Sequence, residues 1–247
     1  VKWLMGLICL FSVSCYCAAA EVVGVWLFDE GNGKVVKDAS GKGPDGEIVG
    51  EVAWANGKFD AALEFDGGHV NVPHNNDMNL RQWTMTAWIK VPKIVEPYQV
   101  ILGKETWPNR NYTMWIRPDV MKFGFTLPGG AQDLQVGSKK VTDNKWHFVA
   151  GVYDEKNLIP YVDGERFNPR GAVGKPATSN APLIIGAQGP DGNNGSLKGI
   201  IDEVAVYDTA LDEDEIAEVM EGLANQFHAV EAAEKLAVTW GALKIGR

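Results

Sequence analysis

GIIDEVAVYDTALDEDEI, residues 199–216, holds a contradiction that bears on the whole fold. Its first half is an apolar run suited to a core and predicts a strand over 200–207. Yet Asp202 and Glu203 stand side by side inside that run. Its second half predicts a helix. Asp212 is placed to cap it, and Glu215 three residues later closes a capping box. Ile216, Val219, Met220 and Leu223 then recur at helical spacing. The acids of the first turn suit the positive end of the helix dipole, so the acidic run 212–215 has a sufficient structural reading. The pair at 202–203 does not. Neighbouring strand residues point to opposite faces, so the two cannot form one acid–base pair. A buried carboxylate without a partner is costly; it shifts its pKa or finds a cation. Two readings follow. Asp202 holds a cation, or it accepts backbone N–H bonds while Glu203 is solvated.

Outward from this stretch, Gly, Asn, Asp and Pro punctuate the chain at short intervals. Between them lie runs such as VVGVWLFD, ALEFDG, TMTAWIKV, QVILGKE, YTMWIRP, HFVAGVYD and PLIIGA. Many short strands separated by turn signals predict an all-β sandwich or barrel. In MTAWIKV, Met85, Ala87, Ile89 and Val91 share one face, and Thr86, Trp88 and Lys90 the other. Asp163-Gly164 inside LIPYVDGERF is a strong two-residue hairpin signal.

The chain has 247 residues and a formal net charge of −9. That balance argues against nucleic acid and anionic membranes as partners and suits cations or neutral ligands. Residues 1–20 read as a secretory signal: Lys2, an apolar run, then Ala18-Ala19-Ala20. The apolar run is short for a membrane span, which needs roughly 20 residues. The expectation is an exported protein, secreted, periplasmic or at the cell surface, with no transmembrane segment after cleavage. All three cysteines, Cys9, Cys15 and Cys17, fall in this leader, so the processed chain must hold together without disulfides. Residues 21–225 read as one domain. Residues 226–247 form a C-terminal segment in which Leu236, Val238 and Trp240 would share a face, as an added strand or a docking surface.

Several stretches, in their order, resemble one family: VGVWLFDEGNGKVVKDASGKGPDGEI, GKFDAALEFDGGHVNVP, KWHFVAGVYD, YVDG and GIIDEVAVYDTALDEDEI. They are similar to the bacterial LamG-like jelly-roll domain of the concanavalin A-like lectin/glucanase superfamily. The resemblance implies two antiparallel sheets packed face to face, one convex and one concave, to which the capped segment read above adds one short C-terminal helix. It also implies a binding role, commonly toward glycans or protein surfaces. Related sandwiches carry a structural calcium. Carried over by motif position, its ligands would come from Asp29 or Glu30 in WLFDEG, Gly67 or Gly68 in FDGG, and Asp202. Glucanases of the superfamily carry three spaced acids on one strand. Here Glu64-Phe65-Asp66 lacks the third, so the chain is not expected to be an enzyme.

For a ligand, the best candidate is Trp107 in KETWPNRNY, a loop between two strands, with Asn109, Arg110 and Asn111 near enough in sequence to bond hydroxyls. Aromatic faces stack on sugar rings through their apolar surface. Trp26, Trp88, Trp115 and Trp146 lie within strands and are expected mostly in the core. Trp83 is left open. The loop KDASGKGPDGE lacks EF-hand spacing and reads as a surface turn. The expected function is a non-catalytic binding module for a glycan or an extracellular protein surface. The alternative is a structural or assembly domain with no glycan site.

Overall fold

The computed structural model describes residues 21–224 and 227, apart from 93, 95, 96, 131, 132, 190 and 193. The expected leader, its three cysteines and the C-terminal strand or docking segment with Trp240 lie outside the described residues. The strands are β1 (Val22–Trp26), β2 (Val35–Val36), β3 (Gly46–Val49), β4 (Val52–Asn56), β5 (Ala61–Asp66) and β6 (His69–Val72). Next come β7 (Trp83–Lys90), β8 (Gln99–Thr106), β9 (Asn109–Arg117), β10 (Val120–Thr126), β11 (Asp133–Gly137) and β12 (Trp146–Tyr153). The series closes with β13 (Asn157–Val162), β14 (Glu165–Arg166), β15 (Arg170–Gly171), β16 (Leu183–Ile185) and β17 (Lys198–Tyr207), followed by helix α1 (Glu213–Met220).

Two sheets result. One runs β14-β13-β12-β7-β17-β5-β4, with β1 paired to β17 and β15 to β13; the other runs β11-β10-β9-β8-β16-β6-β3-β2. This is the all-β jelly-roll sandwich. Alternation fixes its interior as the period of two requires. Met85, Ala87, Ile89 and Val91 face the core between the sheets, while Trp88 joins the apolar cluster on the outside of the first sheet. Trp83 is fully buried and meets Tyr112, Phe125 and Tyr153 with ring centroids 5.8–6.5 Å apart. Asp163 and Gly164 both have positive φ, 54° and 76°, and join β13 to β14 as the tight hairpin their pair predicts.

The helix forms where its caps place it. Asp212 accepts from the N–H groups of Asp214 and Glu215, and Glu215 returns a bond to the Asp212 N–H. Its apolar side, Ile216 and Val219, packs with Trp88, Phe148 and Tyr207 on the outside of the first sheet. A groove marks the outer face of the second sheet.

The opening contradiction resolves in β17. Its first half pairs with β5, Ile201 opposite Leu63, and its second half with β1, Val204 opposite Trp26. Its register against β7 shifts between Asp202 and Ala205, and Glu203 adopts a φ of 46°. The core-facing set runs Ile201, Val204, Val206, so a bulge inserts one residue where β17 changes partner. The expectation of opposite faces therefore fails, as does a solvated Glu203: both carboxylates are buried. Asp202 Oδ2 accepts from the N–H groups of Lys58 and Phe59 at 2.8 and 3.0 Å. Glu203 accepts from those of Leu223 and Ala224, tying down the chain that leaves the helix.

Candidate functional site

The groove is about 600 Å³ and lies over β8, β9 and β11. Local backbone irregularity builds it. Along β9, Tyr112, Met114 and Ile116 point into the core, which turns Thr113, Trp115 and Arg117 outward. The ladder with β8 is irregular beside Asn111: Lys104 pairs with Tyr112, but Glu105 pairs with Arg110. This bulge brings Arg110 onto the outward face. Glu105, Arg110, Thr113, Trp115 and Arg117 thus line one surface, with Gln135, Gln188 and Asn194 at its sides.

The floor is graded. Gly103, Thr113, Gly124 and Gln135 stand in register across four strands. Paired residues share a face, so the two glycines keep this row low. Gly103 has a second role: a Cβ there would lie 2.7 Å from Thr113 Oγ1 and 3.2 Å from Glu105 Oε1. On one side of the low row, Glu105 Oε2 accepts from Arg110 Nε at 2.8 Å, with both side chains at most one-tenth exposed. Glu105 Oε1 is buried and, among the described residues, has no partner. The Arg110 guanidinium also lies over the Trp115 ring, 5.3 Å from its centroid, a cation–π contact. Thr126 Oγ1 accepts from the Arg110 N–H and donates to the Pro108 carbonyl, holding the hairpin tip in place. From that tip Trp107 stands 75% exposed.

The four expected ligand residues separate. Trp107 and Arg110 line the groove. Asn109 Oδ1 instead accepts from the Gly129 N–H at 2.8 Å. Asn111 is 1% exposed and accepts from the Leu80 N–H while donating to the Leu80 and Ala177 carbonyls. Its polar atoms are committed inside the sandwich, so it offers a ligand nothing. Trp115, expected in the core, is on the groove side.

The expected metal ligands separate too. Asp202 lies one residue beyond the Ile201–Leu63 pair, and Asp66 pairs with Lys198 at the other end of that ladder. Gly67 is thus five residues along β5 from the level of Asp202, about 16 Å at the rise of a strand. Calcium–oxygen bonds span only about 2.3–2.6 Å, so Gly67 and Gly68 cannot share an ion with Asp202. Glu30 Oε1 turns back to the Lys37 N–H. Asp29 does approach, accepting from Ala61 N–H at 3.2 Å in the turn that Asp202 also holds. A Cβ on Gly57 in that turn would overlap the Phe59 and Ala61 carbonyl oxygens and Asp202 Oδ2. Among the described residues, Asp202 Oδ1 is buried without a partner. Burial, then the charges of Glu203 and Asp29, push the Asp202 carboxyl up to about 7, against the pull of its two N–H donors. Burial raises Glu203 as well. Asp202, Asp29 and the Phe59 and Ala61 carbonyls in this turn are oxygen donors, the type calcium takes. Among the described residues, no group of three or more His, Cys, Asp or Glu converges to hold a metal. A cation here would therefore rest on Asp202, Asp29 and backbone carbonyls.

Glu64 and Asp66 line a separate depression on the first sheet, with Lys90 and Lys198. They share no surface with the aromatic groove. Among the described residues, no helix is long and apolar enough to cross a membrane.

A laminin-G-type family profile, described as the concanavalin A-like lectin/glucanases superfamily, matches residues 65–217. No curated protein matches the chain. Among solved structures, domain 4 of AbnA, a GH43 extracellular arabinanase from Geobacillus stearothermophilus in complex with arabinotriose, is similar at a TM-score of 0.63 and 19% identity. That match covers 81% of this chain and 98% of the domain. The binding domain of Paraclostridial Mosquitocidal Protein 1 is similar at 0.68 and 14% identity, over 81% of this chain and 51% of that one. The binding domain of botulinum neurotoxin DC, in complex with rat synaptotagmin II, is similar at 0.64 and 13% identity, over 81% and 51%. The chain spans about half the length of the two toxin domains, and at these identities the likeness concerns the fold. The profile covers more than half of the chain, which belongs to the concanavalin A-like lectin/glucanases superfamily.

Proposed function

We propose that this member of the superfamily is an exported, non-catalytic module that binds a glycan along the groove of its second sheet. The observation that carries the reading is Trp107, three-quarters exposed at the rim of a groove containing a buried, hydrogen-bonded ion pair. Apolar faces beside a few fixed polar groups are what a ring with hydroxyls on its edges requires. Trp107 gives the ring a face. Gln188 and Asn194 supply side-chain amides at the wall. The presence of a sugar complex in the arabinanase domain supports the same reading by analogy of fold. A non-catalytic role is favoured because Glu64 and Asp66 face away from this groove. Hydrolysis would need two carboxyls flanking the bound bond.

Calcium belongs to the same proposal as a structural ion. Asp202 and Asp29 would hold it with the carbonyls of the β4–β5 turn; Glu30, Gly67 and Gly68 drop from the set. Its chemistry here is to neutralise Asp202 and pin that turn to β17. Export follows from the leader-like residues 1–20.

A glycan array, followed by calorimetry on the hits, tests the binding role. Trp107→Ala should weaken binding by about tenfold to thirtyfold, the scale of losing a central aromatic anchor. It should leave the melting temperature unchanged, since the ring buries little of itself. A blank array from folded protein sinks the glycan reading and favours an assembly domain.

A further inference from the structure

We infer that the groove takes a linear, anionic glycan laid along β9, with its acidic groups over Arg117 and Lys122. This rests on the glycan reading above and names the class of glycan.

Length is the first argument. Arg110 and Arg117 both line the groove and lie seven residues apart on one strand. With the bulge at Asn111 taken out, six steps at the rise of a strand give about 20 Å, longer than one sugar ring. The Glu105–Arg110 pair marks one end and Arg117 the other, with Trp115 between them. A surface of that form receives a chain side-on.

Charge is the second. Glu105 and Arg110 form a bonded pair and cancel. Arg117 is exposed and, among the described residues, its guanidinium has no hydrogen-bond or ion-pair partner. Lys122 pairs directly with Trp115 across the β9–β10 ladder, so its side chain leaves the sheet on the groove side. Among the described residues neither Arg117 nor Lys122 has an ion-pair partner, so two positive charges stand at one end, on a chain whose net charge is −9. Because the net charge is negative, attraction of a polyanion has to come from a local strip of this kind. A guanidinium fork suits the two oxygens of a carboxylate or the oxygens of a sulfate. Carboxylated and sulfated sugars share that chemistry.

Affinity electrophoresis of the protein through gels containing polygalacturonate, a sulfated galactan or neutral arabinan tests this and separates the two sources. Retention by either anionic polymer, weakened by added salt, is the expected result, and the stronger of the two names the acidic group. Arg117→Gln and Lys122→Gln should each reduce anionic retention by about threefold to tenfold, while Lys145→Gln, away from the groove, should not. Retention by arabinan alone would overturn the anionic assignment and leave the glycan reading standing. Retention by none of the polymers, from a protein with a normal melting curve, would overturn both. Anionic retention indifferent to both substitutions would place the polyanion elsewhere and refute the inference.

Discussion

Asp202→Asn tests the most unusual feature of the interior. Asp202 is fully buried; one oxygen is bonded to two N–H groups and the other, among the described residues, to nothing. Its carboxyl is pushed from the ordinary 3.8 up to about 7, by burial first and by Glu203 and Asp29 after it. Because the folded state holds this proton more tightly, the contribution is fully present below pH 4 and is lost as pH rises through 7. A shift of this size corresponds to about 4 kcal/mol, using roughly 1.4 kcal/mol per unit. Asn keeps an oxygen for Lys58 and Phe59 and never ionises. In chelator, urea unfolding at pH 5 and pH 8 should therefore show the wild type losing about 2.7 kcal/mol relative to Asp202→Asn, the part of the shift that lies between pH 5 and 7. Glu203, Asp60, Asp29 and Lys58 remain in both proteins, so their titration largely cancels in the comparison. Calcium should offset that loss at pH 8. An ion bound only by the folded wild type restores about 2.7 kcal/mol at a hundredfold excess over Kd, and the Asn variant gains little. Parallel stability curves for the two proteins from pH 5 to 8 in chelator would refute the burial argument. A wild type indifferent to calcium at pH 8 would remove the ion.

Two further substitutions probe the frame that carries the groove. A Cβ on Gly151 would overlap the Phe123 ring between the sheets, so Gly151→Ala should cost about 1–3 kcal/mol in denaturant unfolding. A cost below measurement error would mean that the sheets separate more freely than this packing allows. Asp38 accepts from the N–H groups of Val25 and Gly43 at 2.7 Å and from the Ser40 hydroxyl, so it anchors the KDASGKGPDGE turn to β1. Asp38→Ala should cost about 2–3 kcal/mol, read from the melting curve; an unchanged melting temperature would make the turn a passive surface loop.

The sandwich was legible because alternation is a one-dimensional signal. MTAWIKV shows its core face in its own letters, and Asp212 with Glu215 writes the helix start directly. YTMWIRP carried the same signal for the groove: once Tyr112, Met114 and Ile116 point inward, Trp115 and Arg117 must point out. What the letters could not carry were the bulges, of which two shape the sites. One, beside Asn111, exchanges the expected roles of neighbours, sending Arg110 to the groove and Asn111 to the Leu80 and Ala177 carbonyls. The other sits where β17 leaves β5 for β1. Such irregularities depend on which strands lie alongside, information that is three-dimensional. Yet the need for the second was visible. Two adjacent acids in an apolar run cannot sit on a regular strand without placing one of them in the core. The backbone must break register there, and a strand that breaks register is free to change neighbours. Asp202 and Glu203 therefore mark the exchange point of the first sheet, and their carboxylates bind the two segments that close over it, the β4–β5 turn and the chain beyond α1.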